Sequence, residues 1–191
     1  MTQFSLFGAA VAEPSLADLD GILLAGGQWV RAGDTARLSV VVADRWRADA
    51  LAEEFARRGV GATDPIVPAE GGFGVRTAFA TDLVPEAQRW TRGANQGPPT
   101  EFVLTAGALR LWTIAAGRRD DVGYLLATAE PDDSVHLAGG AQLSRLGVAA
   151  ISISSRGGPG WRVTSVKRLR RLHELLGVPP DGGAGDWPAV H

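Results

Sequence analysis

The sequence predicts an α+β fold made of two pseudo-twofold-related αββαββ(α) units, and three observations predict it. GGFGVR at Gly71 to Arg76 recurs as GGPGWR at Gly157 to Arg162, and each copy separates two strand-like runs as a glycine-rich hairpin does. ARRGV, ending in Arg57, Arg58, Gly59 and Val60, is matched by SRLGV, ending in Arg145, Leu146, Gly147 and Val148. In both, an apolar-periodic helix stops at a glycine in the C′ position, and the following valine can pack back on the last turn. SLADLDGILLAGG ends at Gly27 as ALRLWTIAAG ends at Gly117. The matches keep their order and nearly their spacing, which marks an internal duplication.

In order, the first unit reads as a helix over 15–25, strands over 29–31 and 37–43, a helix over 46–58, strands over 66–70 and 75–80, and a helix over 85–90. Ser15 is a fitting N-cap with Asp18 three residues on, close to a capping box. The second unit reads as a helix over 104–116, a strand over 123–129, a helix over 134–146, strands over 150–155 and 161–165, and a helix over 166–176. GANQGPPT, Gly93 to Thr100, has a linker's composition. The chain therefore divides into an arm (1–14), a first repeat (15–92), a linker (93–100), a second repeat (101–177) and a flexible tail (178–191) containing Trp187. The other tryptophans read as core.

With 191 residues, 45% of them hydrophobic, the chain fits one domain or two halves sharing one core. It has no cysteine, which excludes disulfides, thiolate metal sites and a cysteine nucleophile. His136, His173 and His191 are scattered, so a histidine-built metal site is disfavoured. No apolar run reaches the roughly 18 residues of a membrane helix, and no basic secretory segment opens the chain. The expectation is a cytoplasmic, nucleoid-associated protein without a membrane partner. No phosphate-cradling G-x-x-x-x-G-K-[ST] loop and no G-x-S-x-G elbow occurs, and no cofactor is implied.

The net charge of −2 hides an asymmetry: residues 134–173 contain no Asp or Glu but carry Arg145, Arg156, Arg162, Lys167, Arg168, Arg170 and Arg171. A polyanion is one reading of this surplus. Arginine-rich composition is the other, since the 19 Lys and Arg residues include a single lysine.

The duplicated unit, with LDGILLAGG at Leu19 to Gly27 and LRLWTIAAG at Leu109 to Gly117, resembles the LAGLIDADG homing-endonuclease family. The resemblance implies a saddle of two sheets over paired helices, with Ala25, Gly26, Ala115 and Ala116 permitting close helix approach. It also implies that the metal-holding acids of an active nuclease would stand at Gly26 and Ala116, where no carboxylate exists to bind Mg²⁺. No catalytic or metal residue is assigned; a displaced site at Asp20, Asp120 or Asp121 is the alternative. The degenerate pattern is similar to the N-terminal domain of the sporulation regulator WhiA, without the helix-turn-helix that such regulators append.

On a saddle, Ile151, Ile153 and Val163 are expected in the core, leaving Ser152, Ser154, Arg156, Arg162 and Thr164 on the open face. Arg76 is the repeat partner of Arg162, and Arg31 and Arg37 flank the first hairpin. These arginines either contact DNA phosphates or solvate an exposed sheet. In the closing helix Val166, Leu169, Leu172 and Leu176 form a buried stripe, with Lys167, Arg168, Arg170 and Arg171 around it.

Finally, Gln3, Phe4, Ser5, Leu6 and Phe7 resemble the pentapeptide by which bacterial polymerases and repair proteins dock on the sliding clamp, the DNA polymerase III beta subunit. Leu6 and Phe7 would fill an apolar pocket, with Gln3 bonding at its rim. The alternative is a strand packed on the protein's own core. The expected function is a non-catalytic DNA-binding accessory protein of replication or repair recruited by the clamp. The alternatives are a WhiA-like regulator lacking a helix-turn-helix, or a nuclease with a displaced metal site.

Overall fold

The computed structural model describes residues 13–131, 133–154 and 157–189. A 3₁₀ turn at Leu16–Leu19 leads into α1 (Asp20–Leu24), followed by β1 (Gln28–Ala32), β2 (Thr35–Val42), α2 (Arg45–Arg57), β3 (Gly61–Ala69), β4 (Gly72–Thr77) and α3 (Val84–Arg89). A small hairpin, β5 (Thr91–Arg92) and β6 (Asn95–Gln96), straddles the boundary between the first repeat and the expected linker. The second half runs α4 (Ala106–Ala116), β7 (Gly117–Asp120), β8 (Gly123–Ala127), α5 (Ser134–Arg145), β9 (Ile151–Ile153), β10 (Gly160–Val163) and α6 (Val166–Leu176). The expected helix over 15–25 is thus part 3₁₀, and the second unit gains β7, which the sequence reading lacked.

Two four-stranded antiparallel sheets of matching order, β1-β2-β4-β3 and β7-β8-β10-β9, carry the duplication. Its clearest local signature is at the ends of α2 and α5. Gly59 and Gly147 are left-handed, at φ 74° and 80°. Val60 N–H donates to the Phe55 carbonyl and Val148 N–H to that of Leu143, while Gly59 and Gly147 N–H donate to Ala56 and Ser144. This is the same Schellman closure twice, and both valines are buried with the residues they bond. The β3–β4 and β9–β10 turns likewise hold left-handed glycines, at Gly71 and at Gly157 and Gly158.

α1 and α4 cross at the centre of one shared core, which also includes Leu38, Trp90, Trp112 and Leu126. The close approach falls at the start of these helices, not at the small residues near their ends. A Cβ on Gly21 would lie 1.8 Å from the Ala108 carbonyl oxygen, and one on Gly107 would lie 2.5 Å from the Asp18 carboxylate. Asp18 itself is buried and accepts from Ser15 N–H, the Thr105 hydroxyl and Arg58, tying the two halves together.

Three further expectations change. Trp187 is buried, donates its indole N–H to Gly177 O, and lies under Arg110, so the segment around it docks instead of hanging free. Val166 is exposed, because the inward stripe of α6 is carried by Leu169, Leu172, Leu175 and Leu176. The facing of β9 is inverted. Ile151 stands opposite Arg162 in register and is 55% exposed, whereas Ser152 Oγ lies 2.8 Å from the buried His136 Nε2. The polar partner on α5 holds the hydroxyl of the still-exposed serine and leaves Ile151 outward, while Ile153 stays half-buried on this edge strand.

Candidate nucleic-acid interface

Helices pack on one face of each sheet, leaving the other face open. In the first sheet the core face holds Ala36, Leu38, Val40, Val42 and Val75, so the alternate residues Arg37, Ser39, Val41, Gly74 and Arg76 look outward. Ser39 pairs with Arg76, Gln28 with Ser39 and Val30 with Arg37, which sets these side chains on one surface. They border a hollow of about 620 Å³ that also touches Val67, Phe79, Gly26 and Ala129. Arg31 pairs with Ala36 and therefore stands on the opposite face from Arg37 and Arg76.

The two inward-facing guanidiniums of the hollow are held alike. Arg37 Nε donates to Thr77 O at 3.1 Å, and Arg76 Nε to Asp64 O at 3.2 Å. The second bond is available because β3 bulges between Gly61 and Ile66, turning the Asp64 carbonyl toward Arg76. Neither arginine has a carboxylate at ion-pair distance among the described residues, which leaves their Nη groups uncommitted. Arg37 also lies 4.1 Å over the Phe79 ring, and Phe79 is 39% exposed. Burial, and then the neighbouring Arg76 charge, lower the Arg37 pKa from its ordinary value.

The second sheet looks similar from its sequence and differs in chemistry. The row equivalent to Gln28–Ser39–Arg76 is Arg118–Leu125–Arg162–Ile151. Arg162 is engaged by Asp120, Nε to Oδ2 at 2.6 Å. Arg118 donates to the Gly157 carbonyl in the β9–β10 turn, and Leu125 between the two arginines is only 1% exposed. Arg156 lies outside the described residues.

Lys167, Arg168, Arg170 and Arg171 are exposed, and they belong to a different surface. α6 packs against α4 through Leu172 and Leu176, so its cations project from the helical side of the molecule. They border a separate hollow of about 690 Å³ with Ser165 and Glu174.

The positions where the resemblance puts catalytic acids lie at the ends of α1 and α4. Gly26 is the left-handed C′ residue of α1 at φ 94°, with Gly26 N–H on Leu23 O and Gly27 N–H on Ile22 O. A Cβ there would come within 3.2 Å of the Ala129 Cβ. The end of α4 is built differently. Gly117 is extended, and the buried Arg47 of α2 donates to the carbonyls of Ile114 and Gly117, each at 2.8 Å. Asp20 is no ligand in waiting. It accepts from Trp90 Nε1 at 2.7 Å and from Arg89, and burial raises its pKa above 3.8 despite those donors. Asp120 is committed to Arg162, and no group of three or more His, Cys, Asp or Glu residues suited to a metal occurs among the described residues.

Sequence reasoning missed Phe79, Arg47 and the His136 cluster. His136 sits fully buried between Thr128 Oγ1 at 2.9 Å and Ser152 Oγ at 2.8 Å, stacked on Trp161. With a hydroxyl in place of a carboxylate behind the imidazole, the arrangement ties β9 to the β8–α5 loop and lacks the orienting acid of a catalytic triad. Gln3, Phe4, Ser5, Leu6 and Phe7 lie outside the described residues. No helix among those described is long and apolar enough to cross a membrane.

No protein-family model matches the chain, and no curated protein matches it in sequence. Solved structures match it in fold. The homing endonuclease I-WcaI bound to its DNA recognition sequence aligns with a TM-score of 0.63 at 11% identity, over 85% of this chain and 81% of its own. The N-terminal LAGLIDADG domain of DUF199/WhiA aligns with 0.58 at 12% identity, over 87% and 82%. A variant of I-DmoI in complex with its nicked target DNA aligns with 0.51 at 13% identity, over 86% and 96%. The chain has the α+β, LAGLIDADG-like fold that these proteins share.

Proposed function

We propose that the protein is a non-catalytic DNA-binding accessory factor of replication or repair, recruited by the bacterial sliding clamp. The observation that carries the DNA part is the carboxylate-free pair Arg37 and Arg76 on an open antiparallel sheet face. Support comes from the fold, which I-WcaI presents bound to its recognition sequence. Gly26 and Ala116 at the acid positions favour binding over cleavage. In this reading the repeats 15–92 and 101–177 grip DNA, joined by the linker 93–100. The arm 1–14 tethers the molecule to the clamp and so to the nucleoid. Arg156 adds a phosphate contact at the margin, while Arg162, held by Asp120, and the α6 cations, on the helical side, stay outside the contact surface.

Mixing the full chain with a bacterial clamp should give a complex that Leu6→Ala plus Phe7→Ala abolishes; absence of a wild-type complex ends the recruitment reading. Binding to labelled duplex should fall with salt, and Arg37→Ala plus Arg76→Ala should lower the slope of log affinity against log salt by at least about one. An unchanged slope removes the open face from the reading. The likeness to the WhiA domain favours one second reading, a transcriptional regulator. That alternative predicts a strong sequence preference and no clamp complex.

A further inference from the structure

The hollow on the first sheet has a composition unsuited to the outside of an intact duplex. Val30, Val41 and Phe79 are 44%, 54% and 39% exposed, and a duplex presents phosphates and base edges that gain nothing from such walls. The faces of bases, which do gain from apolar and aromatic contact, are hidden inside a duplex stack. The two guanidiniums are fixed through Nε on adjacent strands, line the same concavity and lie close enough for the Arg76 charge to act on Arg37, an arrangement suited to an anion between them. Gly74, whose Cβ would lie 3.0 Å from Val67 Cγ2, keeps the floor beside Arg76, opposite Val41, free of a side chain.

We propose that this hollow is a pocket for an unpaired nucleotide in DNA: its base lies against Phe79 and the valines, and its phosphate sits between Arg37 and Arg76. The inference rests on the DNA-binding reading and narrows it to DNA with an unstacked base, such as a single strand, a bulge or a branch point. An aromatic face backed by arginine is sequence-tolerant, since every base has a π-face. At about 620 Å³ the hollow is of ligand-pocket size. The equivalent place on the second sheet is filled by Leu125 under Arg118 and Arg162.

The test compares the full chain on three probes of equal length: a perfect duplex, the same duplex with one unpaired 2-aminopurine, and the single strand. The expected result is at least about tenfold tighter binding to the bulged duplex than to the perfect one, with a change in 2-aminopurine fluorescence. Phe79→Ala should erase that preference and the fluorescence change, bringing the bulged duplex to the same affinity as the perfect one measured with the same variant. Phe79→Trp, which retains the stacking face, should restore both. Equal affinity for the perfect and bulged duplexes, or a Phe79→Ala variant that keeps the preference, overturns the pocket and leaves DNA binding standing. Binding to none of the probes overturns both. Displacement of the bulged probe by an equimolar deoxynucleoside monophosphate would assign the pocket to free nucleotide, and also overturns the proposal.

Discussion

The two sheets share strand order, glycine turns and Schellman closures, yet among the described residues the open-face arginines of one have no carboxylate partner and the other pairs Arg162 with its own Asp120. The register locates the cause in two positions. Val30 and Arg37 pair across the first hairpin, and in the second the equivalent pair is Asp120 and Gly123. The first half thereby gains a cation where the second has no side chain, and the second gains an acid where the first has a valine. Gly123 is locked in that state, since a Cβ would lie 2.2 Å from the Val163 carbonyl oxygen. Duplication preserved the frame and separated the chemistry. A pseudo-twofold fold need not bind symmetrically.

The sharpest break of the comparison falls on Arg47, which bonds two carbonyls at the end of α4 with a buried guanidinium, where the end of α1 receives a neutral amide, Gln96 Nε2 on Gly27 O at 3.0 Å. α1 closes its own C-terminus through Gly26, while α4 depends on Arg47 from the opposite half. Arg47→Ala should lower unfolding stability by about 3 kcal/mol, because buried carbonyls lose their donor; denaturant titration measures it. A loss under about 1 kcal/mol would mean that α4 is closed by other groups.

Next in size is the contrast between the repeat-related arginines. Arg76→Ala alone should lower the slope of log DNA affinity against log salt by about one, whereas Arg162→Ala, already neutralised by Asp120, should leave it nearly unchanged. Equal effects would restore the symmetric saddle. Gly26→Asp tests the missing acid directly. A side chain at φ 94° facing Ala129 should cost about 1–2 kcal/mol in thermal or denaturant unfolding, and plasmid DNA should stay uncut with Mg²⁺.

The smallest effect concerns Tyr124, whose buried hydroxyl has no partner among the described residues and whose pKa burial raises above 10.0. The folded state resists ionisation, so the raised pKa has no effect on stability below the unfolded pKa and lowers stability as pH rises beyond about 10. Tyr124→Phe should flatten that alkaline decline and be neutral or stabilising by up to about 1 kcal/mol at neutral pH, read from denaturation midpoints across the pH range.

The frame was legible because glycine marks it. Gly59 with Val60, Gly147 with Val148 and the two hairpin glycines have backbone requirements that few other residues meet, so they survive as paired motifs. Facing was less legible. The run Ile151 to Ser154 alternates as a half-buried strand should, but the parity was set by His136, a partner that sequence spacing does not reveal. Arg47 stands in the first turn of a helix, where arginine ordinarily meets solvent, and only the crossing of α4 makes it internal. Phe79, inside the strand expected over 75–80, stands two residues past the end of β4 and lines the hollow. Charge was legible as a regional surplus, but its division between the open sheet and α6 on the helical side depends on packing.

The bonds that cross between repeats make each half a poor product on its own. Asp18 holds Thr105, Gly21 receives the backbone of Ala108, and Arg47 reaches Ile114 and Gly117. A ribosome that has released only residues up to the linker has made a sheet whose central helix lacks its counterpart. The nascent first half therefore waits on the second, and the shared core closes in one concerted event once the second repeat has emerged.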